Sequence, residues 1–356
     1  MVPRFPQLSE TFIANKAVGL VGRGWDVQIV CSGSSQEQWG AFGPDHPVHC
    51  LKDRVHVTAD LSKSVRLPSE LLKSVSQLSS TSSEVIRSYL KDGSAPLANR
   101  AKDLLIDATI ANLNPDIIHF EFGSLAVERM AIGRRCGAAV SVSFRGSDLN
   151  IIGIDDPCYY RDIWQHANGI HILGEALWQK ALSRGALPET SHSAIPPALD
   201  ASKITPAVPR DGCLGSQNDP LRLLSIGRLH WVKGYEYALE AVAELRQRGL
   251  NVEYRIIGDG PHLEAVAFWR HQLGLDDVVQ LLLAVPPHEI ASQLAWADVM
   301  IHTATSEGFC NAVLEAQAHG VPVVCSDADG LSENVKHGET GLVVPRRDSG
   351  AVADAV

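Results

Sequence analysis

The 356-residue sequence lacks the features that identify several common classes of protein. It has no run of about 18 apolar residues, the length needed for a membrane-spanning helix, and no signal peptide precedes its first polar residues. It has no dense run of lysine and arginine, and its formal net charge is −10, so nucleic acid is not expected as a partner. We therefore expect a cytoplasmic protein, with peripheral contact to the inner face of a membrane as an open alternative.

Residues that bind metals show no ordered spacing. The seven cysteines are scattered, odd in number and never form a Cys-x-x-Cys pair, which predicts neither a zinc site nor a set of disulfides. No group of histidine, aspartate and cysteine has the spacing of metal ligands. The sequence thus predicts reduced thiols and no bound metal or other cofactor.

The sequence does contain short apolar runs that alternate with helical stretches, which is typical of α/β proteins with parallel sheets. The strands predicted in the first half are 26–31, 116–120, 138–144 and 169–173. The strands predicted in the second half are 221–226, 252–257, 278–283, 299–302, 321–325 and 341–344. Helices are predicted between them, for example at 235–248 and 310–319. Two α/β domains in series follow from this pattern.

A proline-rich stretch marks the predicted boundary between the two domains. Residues 195–217 hold four prolines and two glycines and show no sustained periodicity, as expected of a linker. We expect an N-terminal domain over 1–197, a linker over 198–217 and a C-terminal domain over 218–356. Within the first domain, the stretch 61–101 is rich in serine, lysine and leucine and predicts exposed helices.

The strongest chemical signal is the sequence SEGFCNAVLEA at 306–316, which lies between two predicted strands. Glu307 is followed by Gly308 at a predicted turn, and a helix should begin near residue 309 or 310. The free backbone N–H groups and the positive dipole at such a helix start suit a diphosphate. The alternative is that Glu307 is an ordinary surface residue of a turn.

A second carboxylate of this motif, Glu315, falls in an otherwise apolar stretch of the same predicted helix. Burying a carboxylate there is costly unless hydroxyl or amide groups bond to it, and a ribose diol would supply such groups. The alternative is that Glu315 pairs with His319, one helical turn later.

Two cations follow the strand predicted at 221–226. Arg228 and Lys233 lie in a loop that leads from the carboxyl end of this strand into a helix, the position at which open α/β sheets bind ligands. Two cations there could neutralise a departing diphosphate without a metal. The alternative is that both are solvated surface charges.

These motifs together resemble those of the retaining glycosyltransferases of family 4, and the resemblance covers nearly the whole chain. The segment 227–234 (GRLHWVKG) matches that family's Gly-Arg and Lys-Gly pairs for the diphosphate, and Glu307 and Glu315 match its paired glutamates. The segment 257–261 (IGDGP) matches a glycine-proline turn of the family, and 284–289 falls where the nucleotide base usually packs.

Two further segments resemble a narrower subgroup, the colanic acid, amylovoran and related exopolysaccharide transferases. Residues 5–13 (FPQLSETFI) are similar to the opening of that subgroup. Residues 144–148 (FRGSD) match its loop, in which many members carry histidine where Arg145 stands.

The resemblance implies a GT-B fold, with two Rossmann-like domains facing each other across a cleft. The implied catalytic residues are Arg228, Lys233 and Glu307. The implied donor-binding residues are Gly227, Arg228, Lys233, Glu307, Gly308, Phe309, Cys310, Asn311 and Glu315. The expected acceptor-side residues are Ser9, Glu10, Thr11, Arg145 and Asp148. In these roles Arg228 and Lys233 hold the diphosphate, Glu315 binds the ribose, and Glu307 with the following N–H groups binds the donor sugar. Ser9 has a simpler alternative as the cap of the first helix.

The resemblance also implies the reaction. A nucleotide-diphosphate sugar is the expected co-substrate, a saccharide or lipid-linked saccharide is the expected acceptor, and the hexosyl group should move with retention of its anomeric configuration. Neither a protein nucleophile nor a metal is needed for this chemistry. A sugar-nucleotide epimerase or a phosphorylase on the same fold, and an inactive nucleotide-binding remnant, remain as alternatives.

The ends of the sequence depart from the family pattern. The opening Met-Val-Pro-Arg-Phe-Pro is typical of a loop, where the family has its first strand. The final Ala-Val-Ala-Asp-Ala-Val stops at the start of a predicted helix, before the family's C-terminal helical tail. We therefore expect a fold that lacks the first strand and this tail.

Overall fold

The computed structural model describes residues 1–58, 81, 83–91, 97–199, 204, 206, 208–210 and 212–356. The chain divides into two units. The first comprises Met1–Asp148, Ile152–His171 and Ala181–Ser193, and the second comprises Leu149–Ile151, Ile172–Lys180 and Ala194–Val356. Much of the segment 61–101 and part of the predicted linker 198–217 lie outside the described residues.

The first half of the chain forms two sheets. The three-stranded sheet is parallel, and its strands in spatial order are β1 (Val2–Arg4), β2 (Ile29–Gly33) and β3 (Val55–Val57). The four-stranded sheet has the order β4 (Ile117–Phe120), β5 (Ala139–Ser143), β6 (Gly169–Ile172) and β7 (His192–Ala194), and β4, β5 and β6 run parallel.

Short helices connect these strands. The α-helices are α1 (Thr11–Gly22), α2 (Gln36–Gly40), α3 (Ser83–Lys91), α4 (Leu97–Ala111), α5 (Gly123–Ala126), α6 (Ala131–Cys136), α7 (Gly146–Asn150), α8 (Arg161–His166) and α9 (Glu175–Ser183). The 3-10 helices are Leu8–Glu10 and Pro47–Arg54. Within the segment predicted as exposed helices, α3 is a helix that exposes most of its residues and buries Val85 and Tyr89 on one face.

The expected absence of the first strand is wrong. Val2 pairs with Cys31 and Arg4 pairs with Gly33 in a parallel ladder, so residues 2–4 form a short strand beside β2. Pro3, which has no N–H to donate, is skipped by this register, and its carbonyl accepts a hydrogen bond from the Ser32 hydroxyl at 2.6 Å. The proline therefore makes this segment resemble a loop in the sequence, although Val2 and Arg4 on either side of it pair with β2.

The second half of the chain builds one parallel sheet of six strands. In spatial order these are β10 (Val279–Leu281), β9 (Val252–Ile257), β8 (Leu221–Ile226), β11 (Val299–His302), β12 (Val323–Ser326) and β13 (Gly341–Val344). This is the doubly wound order 3-2-1-4-5-6, in which the direction of winding reverses between β8 and β11. The strand prediction is confirmed here, and the sheet is the Rossmann-like one expected for the C-terminal half.

Helices cover both faces of this sheet. They are α10 (Tyr235–Gln247), α11 (Leu263–Gln272), α12 (Ile290–Trp296), α13 (Asn311–Ala318), α14 (Leu331–Asn334) and α15 (Ser349–Ala355), together with the 3-10 helices Trp231–Lys233 and Pro287–Glu289. The adjacent Leu223 and Leu224 of β8 are both fully buried but belong to different hydrophobic clusters, because successive side chains of a strand point to opposite faces. Among the described residues, no helix is both long enough and apolar enough to cross a bilayer.

Candidate functional site

Most of the predicted donor residues lie in loops at one edge of the six-stranded sheet, and Asn311 and Glu315 lie in helix α13, which follows one of these loops. The loop 227–233 follows β8, the loop 303–310 follows β11, and the loop 327–330 follows β12. Because the carboxyl ends of parallel strands share one edge, and because β8 and β11 are neighbours where the winding reverses, these loops meet at the position at which doubly wound sheets bind ligands.

Hydrogen bonds connect the 3-10 helix Trp231–Lys233 to the loop that follows β11. The Thr303 hydroxyl donates to the Gly234 carbonyl at 2.7 Å, and the Thr305 N–H donates to the Val232 carbonyl at 2.8 Å. Gly234 has a φ of +60°, and a β-carbon there would overlap the Thr303 carbonyl, so only glycine allows this approach. These contacts bring the Lys233 side chain to the β11 loop.

At this junction Lys233 forms an ion pair with Glu307. The ammonium bonds to the Oε2 atom of Glu307, and the Nε2 atom of His302 lies 3.2 Å from the same oxygen. The other carboxylate oxygen, Oε1, accepts the Gly308 N–H at 3.1 Å. Glu307 thus lies beside Lys233, and its side-chain exposure of 15% contradicts the alternative of an ordinary surface residue, while its role in donor binding stays a prediction.

Opposite charges set the protonation states of this cluster. Burial acts to raise the pKa of Glu307, but Lys233 and His302 outweigh burial and hold that pKa well below its usual range. Burial acts to lower the pKa of Lys233, and the attraction of Glu307 raises it instead. Burial also opposes the charged form of His302, but Cys310 and Glu307 raise the pKa of this histidine to about 9. The cluster therefore holds one carboxylate between two protonated bases at neutral pH.

Cys310 completes the cluster on the far side of His302. Its Sγ atom lies 3.9 Å from the Nδ1 atom of His302, so the imidazole stands between the sulfur of Cys310 and the carboxylate of Glu307. His302, Glu307 and Cys310 offer one potential metal ligand each within 4.8 Å, a grouping that sequence spacing alone did not reveal. The Lys233 ammonium already occupies the Glu307 oxygen at this position, so a cation would have to compete with it.

Further hydrogen bonds hold the turn at 307–310 in place. The Oδ2 atom of Asp329 accepts the Ser306 hydroxyl at 3.1 Å and the Glu307 N–H at 3.3 Å. The Asn334 amide donates to the carbonyls of Phe309 and Cys310 at 2.6 and 2.9 Å. Cys310 needs this support because its φ is +73°, a backbone conformation that favours glycine.

Helix α13 starts directly after this turn and presents the second predicted glutamate. The first N–H groups of the helix have no partner within it, as at any helix start. Glu315 is half-buried, and no hydrogen bond or ion pair reaches its carboxylate from the described part of the chain. Burial raises its pKa. His319 bonds at 2.9 Å to the backbone carbonyl of Glu315, so the predicted alternative of a side-chain pair between them does not form.

The remaining donor-side residues lie on the β8 loop. Arg228 is exposed, and no described residue contacts its guanidinium by a hydrogen bond or ion pair. The carbonyl of Gly227 accepts the buried Tyr235 hydroxyl at 2.8 Å. Gly258 and Gly260, in the predicted glycine-proline turn, have backbones packed so closely on Gly227 and Leu229 that β-carbons would overlap their carbonyls. This turn therefore lies against the Arg228 loop.

The acceptor-side candidates lie in the first unit and have mixed surroundings. Ser9 is exposed within the 3-10 helix Leu8–Glu10, and Thr11 begins α1. The alternative of Ser9 as a helix cap is wrong, because Glu10 occupies the cap position of α1 and its side chain makes no capping bond. These three residues keep their place at the helix start, while their contact with an acceptor stays a prediction.

Arg145 and Asp148 do not pair through their side chains. The Arg145 guanidinium bonds to Glu121 at 3.0 Å and stacks on Phe12, 4.5 Å from the ring centre. Asp148 is fully buried, its two carboxylate oxygens accept the N–H groups of Ser124 and Arg145 at 3.0 Å each, and burial raises its pKa. Both carboxylate oxygens of Asp148 are thus bonded to backbone N–H groups, and the buried side chain is not accessible to an acceptor. The structure therefore does not support a direct contact between Asp148 and an acceptor.

Sequence reasoning missed His302, Asp329 and Asn334. The signal available for the first two is topological: His302 ends β11 and Asp329 follows β12, so both stand at the edge where the β8 loop was already expected. Asn334 sits at the end of a four-residue helix, and no spacing in the sequence indicates that its amide reaches back to residues 309 and 310.

The sequence of this chain is similar to those of known glycosyltransferases. The family model described as "Glycosyl transferases group 1" matches residues 213–356. The chain is 30% identical over 375 residues to the amylovoran biosynthesis glycosyltransferase AmsK of Erwinia amylovora, covering 98% of this chain and 87% of that protein. It is 25% identical over 369 residues to the colanic acid biosynthesis glycosyltransferase WcaL of Escherichia coli K12, with the same two coverages.

Solved structures agree on the fold. The crystal structure of Anabaena HepE in complex with UDP-glucose superposes with a TM-score of 0.69 at 16% identity, covering 99% of this chain and 87% of HepE. The fold is that of the GT-B glycosyltransferases. The full-length match to AmsK and the group 1 model then assign the family: the chain is a glycosyltransferase that belongs to the group 1 glycosyl transferases, in the subgroup of the colanic acid and amylovoran biosynthesis enzymes.

Proposed function

We propose that this glycosyltransferase moves a hexosyl group from a nucleotide-diphosphate sugar to a saccharide or lipid-linked saccharide, with retention of the anomeric configuration, in the synthesis of an exopolysaccharide or another glycan. The observation that carries the proposal is the junction of Lys233, Glu307 and the start of α13 at the point where the sheet reverses its winding. The names of AmsK and WcaL support the assignment to exopolysaccharide synthesis.

The proposed binding of the donor rests on the positive charges of Lys233 and Arg228 and on the carboxylate of Glu315, which has no hydrogen-bond partner among the described residues. Lys233 lies at the turn that precedes α13, and the charge of the exposed Arg228 acts on Lys233. A diphosphate bound beside Lys233 would gain from these positive charges and from the N–H groups at the start of the helix. The half-buried, unpartnered carboxylate of Glu315 is suited to accept hydrogen bonds from the two hydroxyls of a ribose. Glu307 and the N–H groups of the turn 308–310, together with Asn311, would contact the sugar. HepE, a structural neighbour, has been crystallised in complex with UDP and with UDP-glucose, which supports a nucleotide sugar as the donor.

The proposed chemical step needs no nucleophile from the protein. The bond between the anomeric carbon and the oxygen of the β-phosphate breaks, and the acceptor hydroxyl forms a new bond to the same face of that carbon. The hydroxyl proton passes to the departing phosphate oxygen, and Lys233 and Arg228 stabilise the negative charge that grows there. Retention follows because attack and departure share one face.

The acceptor half of the proposal involves the first unit. Ser9, Glu10, Thr11 and Arg145 are the proposed acceptor-side residues, because the first three surround the start of α1 and Arg145 follows the carboxyl end of β5. Asp148 would act only through the loop it braces. Peripheral contact with a membrane is part of the proposal only if the acceptor is lipid-linked.

We further propose that the reaction requires no divalent metal, since Lys233 and Arg228 can take its place at the diphosphate. Turnover should survive EDTA with at most about a twofold loss. Loss of turnover in EDTA, with recovery on addition of Mg²⁺ or Mn²⁺, would mean that the His302–Glu307–Cys310 grouping or another site holds an essential cation.

A ligand panel followed by a product assay tests the function as a whole. Thermal shifts of the full chain with UDP-, GDP- and ADP-sugars should identify one base, because a ligand at 100 times its dissociation constant adds about 2.7 kcal/mol of stability. With that donor and an oligosaccharide acceptor, release of the nucleoside diphosphate should require the acceptor, and NMR of the product should show the donor's anomeric configuration. Conversion of the donor without an acceptor would favour an epimerase. Consumption of the donor only in the presence of phosphate would favour a phosphorylase. Binding of the donor without turnover would favour an inactive remnant.

A further inference from the structure

The Glu307 carboxylate shares one oxygen between two basic side chains of different stiffness. Lys233 reaches Oε2 through four flexible carbon–carbon bonds from a 3-10 helix, whereas His302 reaches it through two torsions from the end of β11. The ammonium of Lys233 has further N–H groups to offer, and its long side chain allows it to turn to a new partner. The imidazole of His302 has no such freedom.

His302 is fixed on every side. Its side chain is 4% exposed, and its strand lies in the middle of the sheet between β8 and β12. The Nε2 atom faces Glu307 at 3.2 Å and the Nδ1 atom faces the sulfur of Cys310 at 3.9 Å. A ring held at both nitrogens in this way keeps its orientation whether or not a ligand is bound.

The bond from His302 keeps Glu307 paired if Lys233 leaves it to bind the donor. If Lys233 turns to the donor diphosphate, Glu307 loses its ammonium partner. A buried carboxylate left without a counter-ion is strongly destabilised, and it would either take up a proton or rotate out of position. A second base on the same oxygen removes this cost, because the carboxylate stays paired after the lysine has left.

We propose that His302 is a positioning residue of the donor site: it holds the Glu307 carboxylate in place while Lys233 exchanges that carboxylate for the diphosphate of the donor. The inference rests on the proposed function, because it requires Lys233 to bind a diphosphate. It goes further in assigning the ion pair between Lys233 and Glu307 to the unliganded enzyme, and the bond between His302 and Glu307 to both the unliganded and the liganded enzyme.

Two amide substitutions separate the bond to Glu307 from the other properties of the ring. In His302→Gln the side-chain nitrogen falls near the position of Nε2 and can still donate to Glu307. In His302→Asn it falls near Nδ1 and can reach only the Cys310 side. His302→Gln keeps the donor to Glu307 but loses the positive charge, so we expect it to lower kcat by less than about 10-fold. His302→Asn loses both, and we expect its kcat to be about 10- to 100-fold below that of His302→Gln, the effect of losing one charge-assisted hydrogen bond.

The ratio between the two variants is the decisive quantity. Equal kcat values for two folded variants would overturn the proposal, because a ring that only fills space is replaced equally well or equally badly by either amide. A lower kcat in His302→Asn than in His302→Gln, with an unchanged KM, would support it, since a structural defect in the nucleotide pocket would act on KM as well. Circular dichroism and melting temperature establish that each variant is folded.

NMR of the unmutated, nitrogen-labelled chain tests the same idea if the variants do not fold. The Nε2 proton of His302 should remain protected from exchange when the site is saturated with UDP, GDP or ADP, whichever binds, because its bond to Glu307 persists. Loss of this protection on binding would overturn the proposal. A chain that binds none of the three would refute the proposed function and this inference with it, and that result is distinct from binding accompanied by equal kcat values.

Discussion

Gly330 packs its α-carbon against the backbone of Gly308, so closely that a β-carbon on residue 330 would overlap the Gly308 carbonyl oxygen. The N–H of Gly330 also donates to the Glu307 carbonyl at 3.3 Å. The loop after β12 therefore supports the turn that carries Glu307, and the position of that turn depends on the absence of one side chain.

Substitution Gly330→Ala should displace this turn. We expect a loss of about 1–3 kcal/mol in the free energy of unfolding, the usual cost of forcing a methyl group into a filled space, and a weaker binding of the nucleotide. Urea unfolding and calorimetry measure the two effects. Gly19→Ala is the matched control, because Gly19 lies within α1 with open space around its α-carbon, and alanine there should stabilise the chain by up to about 1 kcal/mol. Unchanged nucleotide affinity in Gly330→Ala would show that the turn does not serve the donor.

The sequence predicted the C-terminal sheet better than the N-terminal one, and the reason is physical. Strands 221–226, 252–257, 299–302 and 341–344 are confirmed with the same bounds, because each is rich in apolar residues and the central strand 221–226 buries adjacent leucines on its two faces. The strand predicted at 321–325 begins only at Val323, since Pro322 cannot donate a backbone hydrogen bond. The strand predicted at 26–31 is displaced to Ile29–Gly33, because the exposed polar side chains of Asp26 and Gln28 bond to each other before the buried strand begins.

The site was predictable to the extent that it depends on motifs along the chain. Lys233 and Glu307 are 74 residues apart, yet each stands in a loop after a strand of the same sheet, so their meeting follows from topology. The bonds that position them do not follow in this way. That His302 faces Glu307 on one side and Cys310 on the other depends on side-chain torsions, which no periodicity or spacing encodes.

Substitution Glu315→Gln should change stability and affinity in opposite directions. Removing a half-buried carboxylate whose pKa is raised by burial should leave the free energy of unfolding unchanged or slightly higher at pH 7. If Glu315 binds the ribose, nucleotide affinity should fall by the equivalent of about 1.5–3 kcal/mol. Calorimetry with the nucleotide found in the ligand panel measures this, and the exposed Glu253→Gln on β9 is the control. Equal affinity in the two variants would remove the ribose assignment.

The pKa of His302 predicts how stability depends on pH above neutrality. A histidine whose pKa is raised from 6.5 to about 9 on folding adds stability that is complete below pH 6.5 and disappears as the pH rises through 9. The loss should be at most about 3 kcal/mol, since one pKa unit corresponds to about 1.4 kcal/mol. Urea unfolding between pH 6 and about 9.5 should show this decline in the unmutated chain, and His302→Gln should show a smaller one. Equal declines of stability in the unmutated chain and in His302→Gln would mean that a group other than His302 titrates in this pH range.

Substitution Lys233→Ala tests the proposed mechanism most directly. If Lys233 stabilises charge that develops as the nucleotide departs, kcat should fall by about 10²–10³ while KM changes much less, because contacts that strengthen in the transition state act on kcat. The chain should still fold, since His302 remains paired with Glu307. Lys336→Ala, which removes an exposed lysine of the same unit, should leave both constants unchanged. A lysine that serves only to neutralise Glu307 would instead lower the melting temperature and leave kcat within about twofold of the unmutated chain. Steady-state kinetics together with thermal unfolding of the two variants therefore decides whether the ion pair is a structural contact or the resting form of a cation that the donor diphosphate takes over.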